Sequence, residues 1–270
     1  MPAFVRDEVT LHYELDGDGP PVVYISGFGA HSNDALSAVF RVVLAERFTV
    51  LAVDNRGSGQ TVVPPGAKAT LDDMADDIAT LLDHHRLDPA HVIGISMGGC
   101  IAMTLALRHP RHVRSLIPAV TAAHSVTPSR TAFALETTRL MRDQGVPRQL
   151  INRISALHLL SEEMFQHTDF IDKWVNAPPD PFEQSRAGYE LQVAALEQYD
   201  IRHRLQHIHA PTLVVSSPDD FLAPPHYQEE IAASIPGAQL KRYPGGHVFM
   251  LLPPVAGQFV QDILDFWARH

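Results

Sequence analysis

Three side chains that together can make a hydroxyl reactive follow one another along this chain in the order serine, aspartate, histidine, each after an expected strand. Ser96 lies in Gly94-Ile95-Ser96-Met97-Gly98, Asp220 in Ser217-Pro218-Asp219-Asp220, and His247 in Gly245-Gly246-His247-Val248. A serine hydroxyl is a weak nucleophile near neutral pH. It needs a base to take its proton, and the base needs an acid that fixes its tautomer. Such a set performs acyl transfer: the serine attacks a carbonyl and the histidine carries the proton.

The surrounding elements fit that use. Residues 92–95 read as a buried parallel strand and residues 101–107 as a helix. Ser96 therefore sits on a tight strand-to-helix turn whose flanking positions must be small, beside a helix N-terminus that favours negative charge. Residues 22–25 form a second central strand. It ends in Ser26-Gly27-Phe28-Gly29, a loop able to aim N–H groups at a developing oxyanion.

Further strands are expected over 48–53, 113–120, 211–217 and 239–243, with a strand or hairpin over 4–15. Helices are expected over 34–47, 71–86, 227–234 and 254–269. Strands alternating with helices give a parallel sheet covered on both faces. From 125 to 199 the periodicity is helical, broken at Gly145-Val146-Pro147 and at Ala177-Pro178-Pro179-Asp180-Pro181. About seventy residues exceed what a crossover needs. They read as a helical cap, 125–199, inserted in a core made of 1–124 and 200–270.

At 270 residues the chain has room for one large α/β domain, its 45% hydrophobic and 19% charged residues are those of an ordinary globular protein, and the net charge of −10 argues against nucleic acid or an anionic membrane as partner. No 18-residue apolar run is present, and Met1-Pro2-Ala3-Phe4-Val5-Arg6 lacks the pattern of a signal peptide, so a cytoplasmic location is expected. Cys100, the single cysteine, excludes an internal disulfide and reads as a small buried residue. The basic residues are nearly all arginine, the lysines being Lys68, Lys173 and Lys241, which hints at a bacterial source.

His203, His207 and His209 do not make a His-Glu-x-x-His or paired-cysteine pattern, so no metal is expected. His84 and His85 suit a helix end. Asp54-Asn55-Arg56-Gly57-Ser58-Gly59 lacks the spacing of a dinucleotide fingerprint or a P-loop and reads as a turn held by Asp54 and Arg56. No cofactor is expected.

Five separated signals now agree in order: Ser26-Gly27-Phe28, Asp54-x-Arg56-Gly57-x-Gly59, Gly94-x-Ser96-x-Gly98, Asp220 before Leu222 and Pro224, and Gly246-His247. Over nearly its whole length the chain resembles the α/β-hydrolase fold superfamily. The resemblance implies a doubly wound, mostly parallel eight-stranded sheet, a triad of Ser96, Asp220 and His247, and an oxyanion hole from the N–H groups of Phe28 and Met97. Two positions depart from the family: Ser26 replaces a common histidine, and Ser217 replaces a glycine. The second leaves Asp219 as a rival to Asp220, although the family's acid directly precedes an x-Leu-x-Pro segment, as Asp220 does.

Within the cap, the stretch from Asn176 through Phe182, Gly188-Tyr189 and Gln192 to Asp200 resembles the enol-lactonase-like and natural-product hydrolase branch. That implies a serine hydrolase acting on an ester, lactone or thioester of a small, mostly apolar molecule. Gly27, His31, His124, Trp174, Phe221 and Val248 are expected near that substrate; Phe165, Phe170 and Trp174 read first as packing within the cap. The same triad serves carbon-carbon bond hydrolases, lyases and cyclases, and a ligand receptor can retain it. A small-molecule partner is expected; monomer and dimer both remain open.

Overall fold

The computed structural model describes residues 3–125, 128–252 and 255–270. Eight strands form one sheet in the order β1-β2-β4-β3-β5-β6-β7-β8. The strands are β1 (Ala3–Arg6), β2 (Val9–Asp16), β3 (Pro21–Ile25), β4 (Thr49–Val53), β5 (Ala90–Ile95), β6 (Val113–Ala119), β7 (Leu213–Ser216) and β8 (Gln239–Arg242). The pair β1–β2 is antiparallel, as is β2–β4, and every other neighbouring pair is parallel. Residues 4–15 thus form a hairpin at the edge.

Alternation along the central strands divides the core into two faces. Val23, Ile25 and Val92 pack with Met74, Ile78 and Leu82 of α2 (Leu71–His85) and with Ile101 and Leu105 of α3 (Met97–Arg108). Val22, Tyr24 and Ile93 pack on the other side with Phe40 and Leu44 of α1 (Ala35–Ala45). The closing helix lies on that side too, through Phe259, Ile263 and Trp267. It is described from Val255 to Trp267, and its expected first residue, Pro254, lies outside the described residues, as do Met1 and Pro2 of the N-terminal stretch. At the start of α2, Thr70 and Asp73 form a reciprocal capping box, which fixes where this helix begins.

Between β6 and β7 the described residues form four α-helices: α4 (Arg130–Asp143), α5 (Arg148–Leu159), α6 (Thr168–Val175) and α7 (Arg186–Glu197). The breaks fall where Gly145-Val146-Pro147 and the 177–181 proline run stop helical hydrogen bonding. After β7, α8 (Pro225–Ser234) leads to β8, and α9 (Val255–Trp267) ends the chain.

Candidate active site

The turn that carries Ser96 is built by crowding. A Cβ on Gly94 would lie 2.1 Å from Gly98 O, and one on Gly98 would lie 2.1 Å from Ile25 O, so neither position admits a side chain. Between them Ser96 takes φ 56° and ψ −122°, a backbone conformation that L side chains rarely adopt. Hydrogen bonds over-determine it: Ser96 N–H donates to Ala119 O at 2.9 Å, and Ser96 O accepts from Thr121 Oγ1 at 2.7 Å and from Gly99 N–H at 2.8 Å.

Asp220 follows β7 and His247 follows β8. Asp220 Oδ2 lies 2.8 Å from His247 Nδ1, while Oδ1 accepts the N–H groups of Leu222 and Ala223, both at 2.8 Å. Carboxylate and imidazole are both buried, whereas Asp219 is exposed. Ser217, the second departure from the family pattern, has a use: its Oγ accepts the Gly246 N–H at 3.1 Å and joins the two loops. Among the described residues no hydrogen bond joins Ser96 Oγ to His247, and both border one cavity of about 860 Å³. Such contacts commonly tighten only around substrate.

The N–H of Met97, first residue of α3, has no acceptor within its own helix. No hydrogen bond among the described residues takes up the N–H of Phe28. Both residues line the cavity, and a Cβ placed on Gly27 would stand 3.9 Å from Ser96 Oγ. Ser26, the first departure, spans its own loop through Oγ to Ala30 O at 3.2 Å.

His31, His124, Trp174 and Val248 line the cavity as well. His31 Nε2 meets Asp180 Oδ2 at 2.8 Å. Burial would raise the pKa of Asp180, but the contact with His31 and the Phe182 N–H outweigh it and hold the carboxyl below its usual range. Trp174 Nε1 donates to Asn152 O and Ser155 Oγ, both at 3.1 Å. Phe221 is a correction: it does not line the cavity, because its ring stacks on His158 at 5.4 Å under the Arg130 guanidinium. The sequence reading missed Asn152, Ser155 and His158 on the cavity wall. Their period along α5 places them on one face, and only the fold shows that this face looks inward.

Arg56 is also placed differently from expectation. Asp54 holds its own turn, accepting from Ser32 N–H at 2.7 Å and Gln60 N–H at 2.8 Å. Arg56 instead grips Asp77 of α2 through Nε at 2.6 Å and Nη2 at 2.8 Å.

Burial pushes the Cys100 thiol up to about 11, so it stays protonated at neutral pH and is no rival nucleophile. Among the described residues Asp83, Asp88 and His112 form a group able to hold a cation. Asp83 lies in the last turn of α2, Asp88 just before β5 and His112 just before β6, away from Ser96, and the two nitrogens of His112 face different carboxylates at 3.7 and 3.8 Å.

The sheet order and the strand-to-helix turn at Ser96 are those of an α/β-hydrolase enzyme. The chain belongs to that family: the family model described as alpha/beta hydrolase fold matches residues 20–254. A curated relative from Caulobacter segnis, "Putative carbamate hydrolase RutD", is 31% identical over 261 residues, covering 90% of this chain and 91% of that protein. A hydrolase from Pseudomonas aeruginosa PA01 superposes with a TM-score of 0.82 at 26% identity, over 98% of this chain and 97% of the other. The enol-lactonase from Burkholderia xenovorans LB400 gives 0.82 at 23% identity over 99% and 100%, a likeness of fold. No described helix is long and apolar enough to cross a membrane.

Proposed function

We propose that this protein is a cytoplasmic serine hydrolase that cleaves an ester, lactone or thioester of a small, mostly apolar organic molecule through an acyl-enzyme at Ser96. The observation that carries the reading is the 2.8 Å contact between Asp220 and His247 beside the cavity that Ser96 borders. In this reading His247 Nε2 takes the Ser96 proton as Oγ attacks the carbonyl carbon. The oxyanion is held by the N–H groups of Phe28 and Met97. His247 then protonates the leaving group, and a water activated by the same imidazole releases the acid and frees Ser96. Asp220 keeps the proton on Nδ1 and stabilises the imidazolium.

The helical insertion serves as a cap, 125–199, on a core of 1–124 and 200–270. A cavity of about 860 Å³ with walls such as Ile95, Val120, Leu135, Leu196 and Leu251 suits an apolar acyl or alcohol group. Carbamates form a second reading, favoured by the relative's name, since attack on their carbonyl needs the same groups.

Incubation with a fluorophosphonate followed by intact mass measurement tests the chemistry. The wild type is expected to gain one adduct that Ser96→Ala does not. A folded wild type without the adduct overturns the acyl-enzyme mechanism. Release of ammonia or an amine with carbon dioxide, against release of an acid and an alcohol, separates carbamates from esters.

A further inference from the structure

Gln192, in the middle of α7, is fully buried although its side chain is polar. Both polar atoms of its amide are engaged. Oε1 accepts the Gly29 N–H at 2.9 Å and the Gln184 side-chain amide at 2.8 Å, and Nε2 donates to Arg56 O at 3.0 Å. Arg56 is itself clamped to Asp77, so the far end of this bridge is anchored to α2. The near end is the peptide that directly follows Phe28. Around it, the Phe28 ring meets Tyr189 edge-on at 5.3 Å, and Gly188 packs so closely on Gly57 that a Cβ would stand 2.2 Å from Gly57 O. The insertion is thus seated against the loop after β3 without any strand between them.

We infer that Gln192 is a positioning residue for the oxyanion hole: by accepting the Gly29 N–H it fixes the peptide after Phe28 and so leaves the Phe28 N–H aimed into the cavity. This rests on the reading of Phe28 as an oxyanion donor. Physically, the Phe28–Gly29 peptide is the central link of a turn closed by the Ala30 N–H on Gly27 O at 3.2 Å, and that closing bond does not hold the central peptide itself. Its N–H has one acceptor, and Gly29 at φ +68° offers no steric resistance to rotation. Removing the acceptor leaves a part-buried donor that regains a partner only by a shift of the loop, and a shift that moves the Phe28 Cα displaces the adjoining Gly27–Phe28 peptide, which carries the Phe28 N–H. A preorganised donor loses its catalytic value when it must be reoriented during reaction.

Gln192→Met keeps length and volume but removes every hydrogen bond, while Gln192→Glu keeps the acceptor for Gly29. In Gln192→Met the Gly29 amide is expected to lose hydrogen-exchange protection. kcat should fall roughly 10-fold or more, a share of the loss seen when a donor is deleted, with KM little changed. An alkylboronic acid, which forms a tetrahedral anion on Ser96, should weaken by the same factor, and the neutral alcohol product should bind as before. Gln192→Glu should recover most of the loss.

Equal weakening of boronate and neutral alcohol would show mere damage to the cavity and overturn the inference. So would unchanged Gly29 protection in Gln192→Met. Should that variant fail to fold, exchange in the wild type still decides: a Gly29 amide that exchanges as fast as an open loop overturns the bridge. A missing fluorophosphonate adduct, by contrast, sinks the serine-hydrolase reading and leaves the Gly29 measurement standing.

Discussion

The backbone N–H of His247 donates to Leu159 O at 2.9 Å, so the last turn of α5 holds the loop that carries the imidazole. A bridge between Leu160 and Gly246 extends the contact. Gly246 has φ +76°, and a Cβ there would stand 2.8 Å from Leu159 O and 2.9 Å from Ser161 N. Gly246→Ala therefore combines strain with a backbone clash. It should cost about 1–3 kcal/mol in urea unfolding and lower kcat/KM by displacing His247. Wild-type stability and activity in this variant would show that the contact yields easily.

Asp220→Asn should keep the carbonyl oxygen that accepts the Leu222 and Ala223 N–H groups, and so keep the loop. Its amide would face Nδ1 as a donor and favour the wrong tautomer. By analogy with the same change in other triads, kcat should drop about 10⁴-fold with little change in Tm. Asp219→Asn, on an exposed side chain, should leave both unchanged; a large loss there would reverse the assignment of the acid.

Asp77 receives Arg56 in two hydrogen bonds and Arg6 in one at 2.6 Å, and its side chain is buried. Asp77→Ala leaves the Arg56 guanidinium buried without its partner and should destabilise by about 3–5 kcal/mol. Equilibrium denaturation measures it, and a loss below 1 kcal/mol would mean that water reaches Arg56.

Burial pulls His91 down from 6.5 to about 4, helped by the nearby Arg114. Its ring stacks on Trp267, and Nδ1 contacts Ser115 Oγ at 2.8 Å. Between these two pKa values the unfolded chain binds a proton that the folded chain refuses. His91's contribution to stability is therefore full above pH 6.5 and is lost as the pH falls towards 4. Tm measured across that window should fall less steeply in His91→Gln than in the wild type; parallel slopes would assign the acid sensitivity elsewhere.

The order of Ser96, Asp220 and His247 is legible in the sequence because each lies on the loop that follows a parallel strand, where position along the chain sets position above the sheet. The breaks around α5 and α7 are legible because glycine and proline act locally. What Arg56 does is not: its partner is 21 residues away on a helix, and the nearer Asp54 offers the same charge. Phe221 is beside Asp220 in sequence yet turned towards His158, since a loop has no period that fixes direction. Gln192 stands in the stretch that resembles the enol-lactonase-like branch, yet nothing there shows what it bridges, and Leu159 O carries no mark at all. One is a glutamine in an ordinary helix, and the other is a backbone carbonyl.

Residues between β6 and β7 contact all three loops around Ser96: Thr131 Oγ1 donates to Leu222 O, Leu159 O accepts from His247, and Gln192 holds Gly29. The insertion is consequently not an interchangeable module. A chimera that replaced residues 130–197 to obtain a new substrate range would also exchange supports of these three loops, and would need a carbonyl, a hydroxyl and an amide returned at these points before its specificity could be read.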